Sequence, residues 1–353
     1  MLDDLRTHLQ EELRIPEIYA DRCVHSFIET SSCQDCVDSC PQQAWVLSDE
    51  SLGINTEACD GCGLCAPACL QGAILHPHEP AIRQLGEHLI AFVACQKTQL
   101  TGEGVMPCIH ALGVHDLLKL YQQDVRGLII TSETCSGCKQ YSQNNVQNAL
   151  MVVNRALAQR QVATFLLREV PSDSWLQQRQ QTKDPVANTE VDRRHFFRQT
   201  LQTTARETLK LKGLLPQDKE KFIPPGSLLP DTEAACDFPY VPEIDTKQCD
   251  GCEACLNICP HHALLFDRKN KRYILAAQRC TGCQICVDVC KPKAIQIKTW
   301  ETPTQITVAL HDGRCKRCGV HFHRPESHQA EDQTLCHICN KVNHHHNLFQ
   351  IFE

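Results

Sequence analysis

Apolar residues recur at steps of three and four in four stretches of the chain. Leu2, Leu5, Leu9 and Leu13 mark an amphipathic helix that Pro16 ends. Such a stripe covers the core of its own domain or docks on a partner helix. Leu112 to Tyr121 reads as a second helix. Asn145 to Ala158 reads as a third, with Val146, Ala149, Leu150, Val153 and Leu157 on one face. The fourth runs from about Asp192 to Leu211, with Phe197, Leu201, Ala205 and Leu209 as its buried stripe. It lies within a segment from Pro171 to Cys236 that is rich in Gln, Lys, Asp and Pro and broken by Pro224-Pro225-Gly226 and Pro230, which predicts a linker carrying one helix.

Short apolar runs between these helices predict strands. Leu89 to Ala94, Val125 to Thr131 and Val162 to Leu167 alternate with the second and third helices as βαβαβ, a small α/β domain. Shorter pieces, Ala73-Ile74-Leu75, Ala263-Leu264-Leu265 and Ala294-Ile295-Gln296-Ile297, read as hairpin strands. Ile306, Val308 and Leu310 alternate as another. The longest apolar run is Leu89 to Cys95, far short of the roughly eighteen residues needed to cross a bilayer, so no direct membrane insertion is expected.

Cysteine usage changes the picture, because 25 of 353 residues are cysteine and they fall in clusters. No charged, apolar and small-residue leader opens the chain, so the expected address is the cytoplasm, where disulfides are rare and metal ligation is the better reading. A net charge of −7 without a dominant basic block makes nucleic acid an unexpected partner.

Cys249, Cys252, Cys255 and Cys259, closed by Pro260, form CxxCxxCxxxC, and Cys280, Cys283, Cys286 and Cys290 repeat it. In such a pair three thiolates of one run wrap a [4Fe-4S] cube while the fourth reaches the partner cluster. The rule assigns Cys249, Cys252, Cys255 and Cys290 to one cluster, and Cys280, Cys283, Cys286 and Cys259 to the other. A less regular copy precedes it. Cys59, Cys62, Cys65 and Cys69 have the full spacing with Leu70 in place of proline, and Cys33, Cys36 and Cys40 with Pro41 are the tail of an earlier run. Cys23 supplies the missing ligand if residues 24–32 bulge out as a loop. The same rule then gives Cys23, Cys33, Cys36 and Cys69 for one cluster and Cys59, Cys62, Cys65 and Cys40 for the other; the alternative leaves Cys23 a free buried cysteine. Gly61, Gly251 and Gly282 sit between ligands, where a left-handed turn points backbone N–H groups at the cluster.

Two further cysteine sets lie outside these modules. Cys95, Cys108, Cys135 and Cys138, spaced CX12CX26CX2C near strand ends of the α/β domain, suit a [2Fe-2S] cluster, a zinc ion or a dithiol redox pair, or stay unliganded in a docking domain. Cys315, Cys318, Cys336 and Cys339 give CX2CX17CX2C, the spacing of a zinc ribbon, with a rubredoxin-like iron site as competitor. His321, His323 and His337 lie close enough in sequence to replace a thiolate, whereas His344, His345 and His346 read as a solvated polar stretch.

These motifs carry a resemblance. The region Arg193 to Lys298, with Arg193-Arg194-His195-Phe196-Phe197 ahead of paired cluster runs, resembles the ferredoxin-type accessory proteins of periplasmic nitrate reductase over about a third of the chain. Cys95 to Cys138 is similar, more weakly, to the small iron-sulfur subunit linking hydrogenase to heterodisulfide reductase in methanogens. The whole arrangement resembles polyferredoxin-like proteins associated with molybdenum- or tungsten-dependent formate dehydrogenases. The resemblance implies electron transfer to, or maturation of, a larger redox enzyme or its subunits.

The expected fold is α+β. It comprises a dicluster ferredoxin module with a leading helix at 1–80, a four-cysteine α/β domain at 81–170, a linker at 171–238, a second dicluster module at 239–300 and a zinc-ribbon-like domain at 301–353. Four [4Fe-4S] clusters and one zinc are expected, with a [2Fe-2S] cluster or second zinc as the options in the middle. No general acid, base or nucleophile constellation accompanies them, which favours an electron carrier. An accessory factor that binds an apoenzyme is the second reading, and a thiol–disulfide oxidoreductase using Cys135 and Cys138 is the third.

Overall fold

A computed structural model describes residues 15–47, 52–76, 79–138, 145–185, 222–327 and 334–341. The expected helices at Leu2 to Leu13 and Asp192 to Leu211, the Arg193-Arg194-His195-Phe196-Phe197 segment and His344 to His346 lie outside these residues.

The two cysteine-rich modules share one plan. In the first, β1 (Glu17–Ile18) pairs antiparallel with β4 (Ile74–Leu75), and β2 (Trp45–Leu47) pairs with β3 (Leu52–Ile54). Helices of a single turn, Asp35–Asp38 and Cys65–Ala68, stand before β2 and β4. Isolated helices this short have no stability of their own. They are held by the hydrophobic cluster of Trp45, Cys65 and Ile74, against which Ile18, Val37 and Ile54 pack.

Between the modules the sheet follows the βαβαβ expectation and extends it. Strands β5 (Ala81–Leu85), β6 (His88–Cys95), β7 (Val105–Met106), β8 (Val125–Thr131) and β9 (Leu166–Glu169) form one sheet in which β6, β8 and β9 run parallel, β5 is an antiparallel edge and β7 pairs with β6. Period-2 alternation sorts the central strands. Ala91, Val93, Leu128 and Ile130 face helices Val114–Gln122 and Asn145–Gln159, while Phe92, Ala94 and Ile129 face the other side.

That other side is covered by helix Ser172–Gln181, whose Trp175 is fully buried, meets Phe92 edge-to-face at 5.9 Å and donates its indole N–H to the carbonyl of Ile129 at 3.2 Å. Leu228 and Leu229 close the opposite core. Residues expected as linker therefore pack on the α/β domain from both ends. The last strand also starts later than Val162, because the Asn154 side chain takes up both backbone groups of Phe165, accepting from its N–H at 2.9 Å and donating to its carbonyl at 3.0 Å. A residue so engaged has no groups left for a ladder.

In the second module β10 (Phe238–Ile244) pairs with β13 (Ile295–Glu301), and β11 (Leu264–Asp267) pairs with β12 (Arg272–Leu275). Its one-turn helices are Ala254–Ile258 and Ile285–Asp288. Beyond it, β14 (Thr307–Arg314) pairs with β12 on one side and with β15 (His321–Pro325) on the other, so the tail joins the module in one four-stranded sheet, β11-β12-β14-β15. Val308 and Leu310 are buried there, whereas Ile306 stays 64 % exposed. No helix among the described residues is long and apolar enough to cross a membrane.

Candidate metal centres

Folding brings 24 of the 25 cysteines into six groups of four; the other, Cys236, is buried with its thiol 3.4 Å from the Gln159 carbonyl. In the first module the thiols of Cys23 and Cys69 lie close enough to Cys33 and Cys36 to oppose their ionisation. Cys40, Cys59, Cys62 and Cys65 line one cavity with the apolar Pro16, Trp45 and Ile54. In the second module Cys249, Cys252 and Cys255 share their surroundings with Cys290. Cys259 joins Cys280, Cys283 and Cys286 in a cavity lined by Leu264, Ile285 and Ile297. Each module thus exchanges the fourth thiol of one run for that of the other.

A backbone device recurs at all four crossing points. The third residue after each fourth cysteine has positive φ: Gln43 at 51°, Gly72 at 58°, His262 at 51° and Lys293 at 55°. This turn aims the next N–H back at the cysteine. Ala44 donates to Cys40 Sγ at 3.4 Å, Ala73 to Cys69 at 3.2 Å, Ala263 to Cys259 at 3.3 Å and Ala294 to Cys290 at 3.2 Å. All four alanines are buried. The carbonyl of each accepts a strand bond, from Asn55, Tyr19, Ala276 and Asp245 in turn, which locks the donor in place. The sequence signal was a shared Ala four residues after each fourth cysteine, read at Ala73, Ala263 and Ala294 only as the start of a strand and not read at Ala44. Gly61, Gly251 and Gly282 add the left-handed turns between ligands, with φ of 68°, 75° and 81°.

Several of the buried thiols resist ionisation without a cation. Burial, with the neighbouring thiols adding to it, pushes Cys36, Cys65, Cys255 and Cys280 up to about 12. A metal centre replaces those protons with positive charge, so binding and folding are coupled. The donor sets fit iron–sulfur cubes: four thiols, N–H dipoles on the sulfurs and an apolar wall that limits water.

The middle domain brings Cys95, Cys108, Cys135 and Cys138 together, with Cys108 facing the other three. Lys97 Nζ donates to Cys138 Sγ at 2.9 Å, which raises the Lys97 pKa, and the Lys97 N–H donates to Cys95 Sγ at 3.4 Å. Cys108 packs on Cys62 and Leu64, so this group abuts the first module.

Cys315, Cys318, Cys336 and Cys339 are drawn closer than any of these: all four sulfurs lie within 4.8 Å of one another, and Cys318 and Cys336 are 3.8 Å apart. A tetrahedron with metal–sulfur bonds of about 2.3 Å has edges of about 3.8 Å, so a single ion fits. Burial opposes ionisation of Cys315, but the N–H groups of Cys318, Cys336 and Arg317 outweigh it and hold the thiol down to about 6. His323 is not part of this group. Its Nε2 meets Glu253 Oε1 at 2.6 Å and its ring packs on Phe266 at 4.4 Å.

Comparison with known families agrees with the chemistry of the modules. A family model described as a 4Fe-4S dicluster domain matches residues 31–74, and one described as a 4Fe-4S binding domain matches residues 241–264. These matches support an iron–sulfur protein with two ferredoxin-type 4Fe-4S domains in a mixed helix and sheet fold. Cys23 and the run from Cys280 to Cys290 lie outside the matched residues, so their grouping rests on geometry. No curated protein matches the chain.

Proposed function

We propose that this protein is a cytoplasmic electron-transfer protein holding four [4Fe-4S] clusters, which relays electrons to or from a larger redox enzyme such as a molybdenum- or tungsten-dependent formate dehydrogenase. The single observation that carries it is the exchange of fourth thiols within each module, repeated with the same Ala N–H to sulfur bond. Bound clusters supply one-electron chemistry. The residues around them hold the thiolates, aim N–H dipoles at sulfur and exclude water, so that charge changes without opening a substrate site. The four C-terminal thiols take zinc as a structural ion. The middle thiols, which are not gathered as closely, take an iron–sulfur cluster.

Electrostatics argue against Cys135 as the nucleophile of the oxidoreductase reading. A nucleophilic cysteine needs a lowered pKa. Burial and the Cys95 and Cys138 thiols instead push Cys135 up to about 11.

The accessory-factor reading draws support from the tail, where Val320 and Ile338 are 58 % and 50 % exposed and suit a protein contact. The two readings separate in anaerobic redox cycling. A carrier takes up electrons from dithionite and returns them to an oxidised dye repeatedly without losing iron. Loss of iron in the first cycle contradicts the carrier reading.

A further inference from the structure

The loops that follow Cys69 and Cys259 occupy equivalent places in the two modules, and they meet. Gln71 stands two residues after Cys69, His261 two residues after Cys259, and Gln71 Oε1 accepts a hydrogen bond from His261 Nε2 at 2.7 Å. The thiol of Cys69 belongs with Cys23, Cys33 and Cys36, that of Cys259 with Cys280, Cys283 and Cys286. One group from each module therefore faces the other across this contact.

Gln71 is 5 % exposed and its Nε2 is buried with no hydrogen-bond partner, while its side chain lies beside Cys283 and favours ionisation of that thiol. The amide orientation follows from its neighbours. An amide oxygen can only accept from His261, which leaves the NH2 group toward Cys283; the reverse orientation would set carbonyl oxygen against a thiolate. The junction is closed by Phe222, whose ring lies 6.1 Å from that of His261 and fills the space a side chain on Gly72 would need. Leaving a buried amide donor unused costs free energy, so its placement beside sulfur calls for an acceptor with charge.

We infer that Gln71 is the positioning residue of an inter-module junction: its carboxamide ties the two modules into one relay and its N–H donates to the Cys283 thiolate, raising the reduction potential of the cluster held by Cys259, Cys280, Cys283 and Cys286. This rests on the electron-transfer reading above. Hydrogen bonds to ligand sulfur stabilise the more negative, reduced state. In the relay step one electron leaves the cluster on one side of Gln71 and enters the cluster on the other. No bond forms or breaks and no proton moves, and the electron comes from an external one-electron donor, dithionite in the test.

The test is an anaerobic redox titration of the full iron-loaded chain followed by EPR, comparing wild type with Gln71→Leu. The expected result is one cluster made about tenfold harder to reduce, about 59 mV lower for one electron, with the other potentials unchanged. An iron-replete variant in which every potential matches wild type overturns the inference. Should Gln71→Leu not accumulate with iron, His261→Ala carries the test, because it releases the amide from its anchor: the same single-cluster shift supports the inference, and unchanged potentials overturn it. Failure of the underlying reading shows separately, as absent cluster signals in the wild-type protein.

Discussion

Ser32 and Asp288, 256 residues apart in the chain, are joined by two hydrogen bonds: the Ser32 hydroxyl donates to Asp288 Oδ1 at 2.8 Å and its backbone N–H to Oδ2 at 2.9 Å. Ser32 adjoins Cys33, and Asp288 lies between Cys286 and Cys290. The contact thus registers the same two cysteine groups that meet at Gln71. Asp288→Ala removes both bonds. At this exposed position the expected cost is about 1 kcal/mol, the size of an ordinary hydrogen bond and below the range for charged ones because water competes for the carboxylate. EPR of the fully reduced variant should show weaker spin coupling between modules at unchanged iron content, and unchanged coupling would argue against this register.

The exchange of fourth thiols makes ligand substitutions act on the partner run. Cys69→Ser should disturb the cluster of Cys23, Cys33 and Cys36 and spare that of Cys59, Cys62 and Cys65, with loss of up to about four irons. Cys40→Ser should do the converse. Iron analysis with EPR distinguishes the two outcomes. Damage confined to the cysteines of the same run would mean that the thiols are not shared.

Trp175→Ala should cost about 3–5 kcal/mol, the range for emptying a large aromatic site, because the indole is fully buried against Phe92 and hydrogen-bonded to Ile129. Denaturant unfolding of the chain followed by the β-sheet signal measures it. A loss below about 1 kcal/mol, the size of a surface change, would detach this helix from the domain.

Trp175 also marks where the sequence was hard to read. With the adjacent Leu176 it is one of two apolar residues in a Gln-rich helix, so periodicity had no stripe to find, and the segment passed as linker. Cysteine spacing was a stronger signal, since ligand geometry restricts it directly. It anticipated the 4Fe-4S character that the family matches support at residues 31–74 and 241–264, and the alternating strands β6 and β8 were legible because both faces are buried. The Gln71–His261 junction was not. Contacts between modules depend on tertiary placement, and neither residue stands out from a polar surface in sequence. The joining of β14 to β12 was hidden for the same reason, as an alternating strand does not name its partner.

His115 gives the fold a pH dependence. Its Nε2 donates to the Ile223 carbonyl at 3.1 Å, its ring stacks on Phe222 at 4.6 Å, and burial together with Lys119 lowers its pKa to about 4. The unfolded chain binds the proton near pH 6.5 and the folded chain only near pH 4. The stability contributed by neutral His115 is therefore complete above about pH 6.5 and falls as pH drops toward 4. Amide exchange at residues 223–229 should accelerate across that window in wild type and change little in His115→Gln. Equal acceleration in both would assign the effect to other groups.

The number of cubes is the central claim, and counting iron, acid-labile sulfide and zinc in anaerobically purified protein tests it most directly. Four [4Fe-4S] clusters require at least about sixteen irons and sixteen sulfides per chain, with about one zinc beside them. About eight irons per chain, the content of two such cubes, would contradict it.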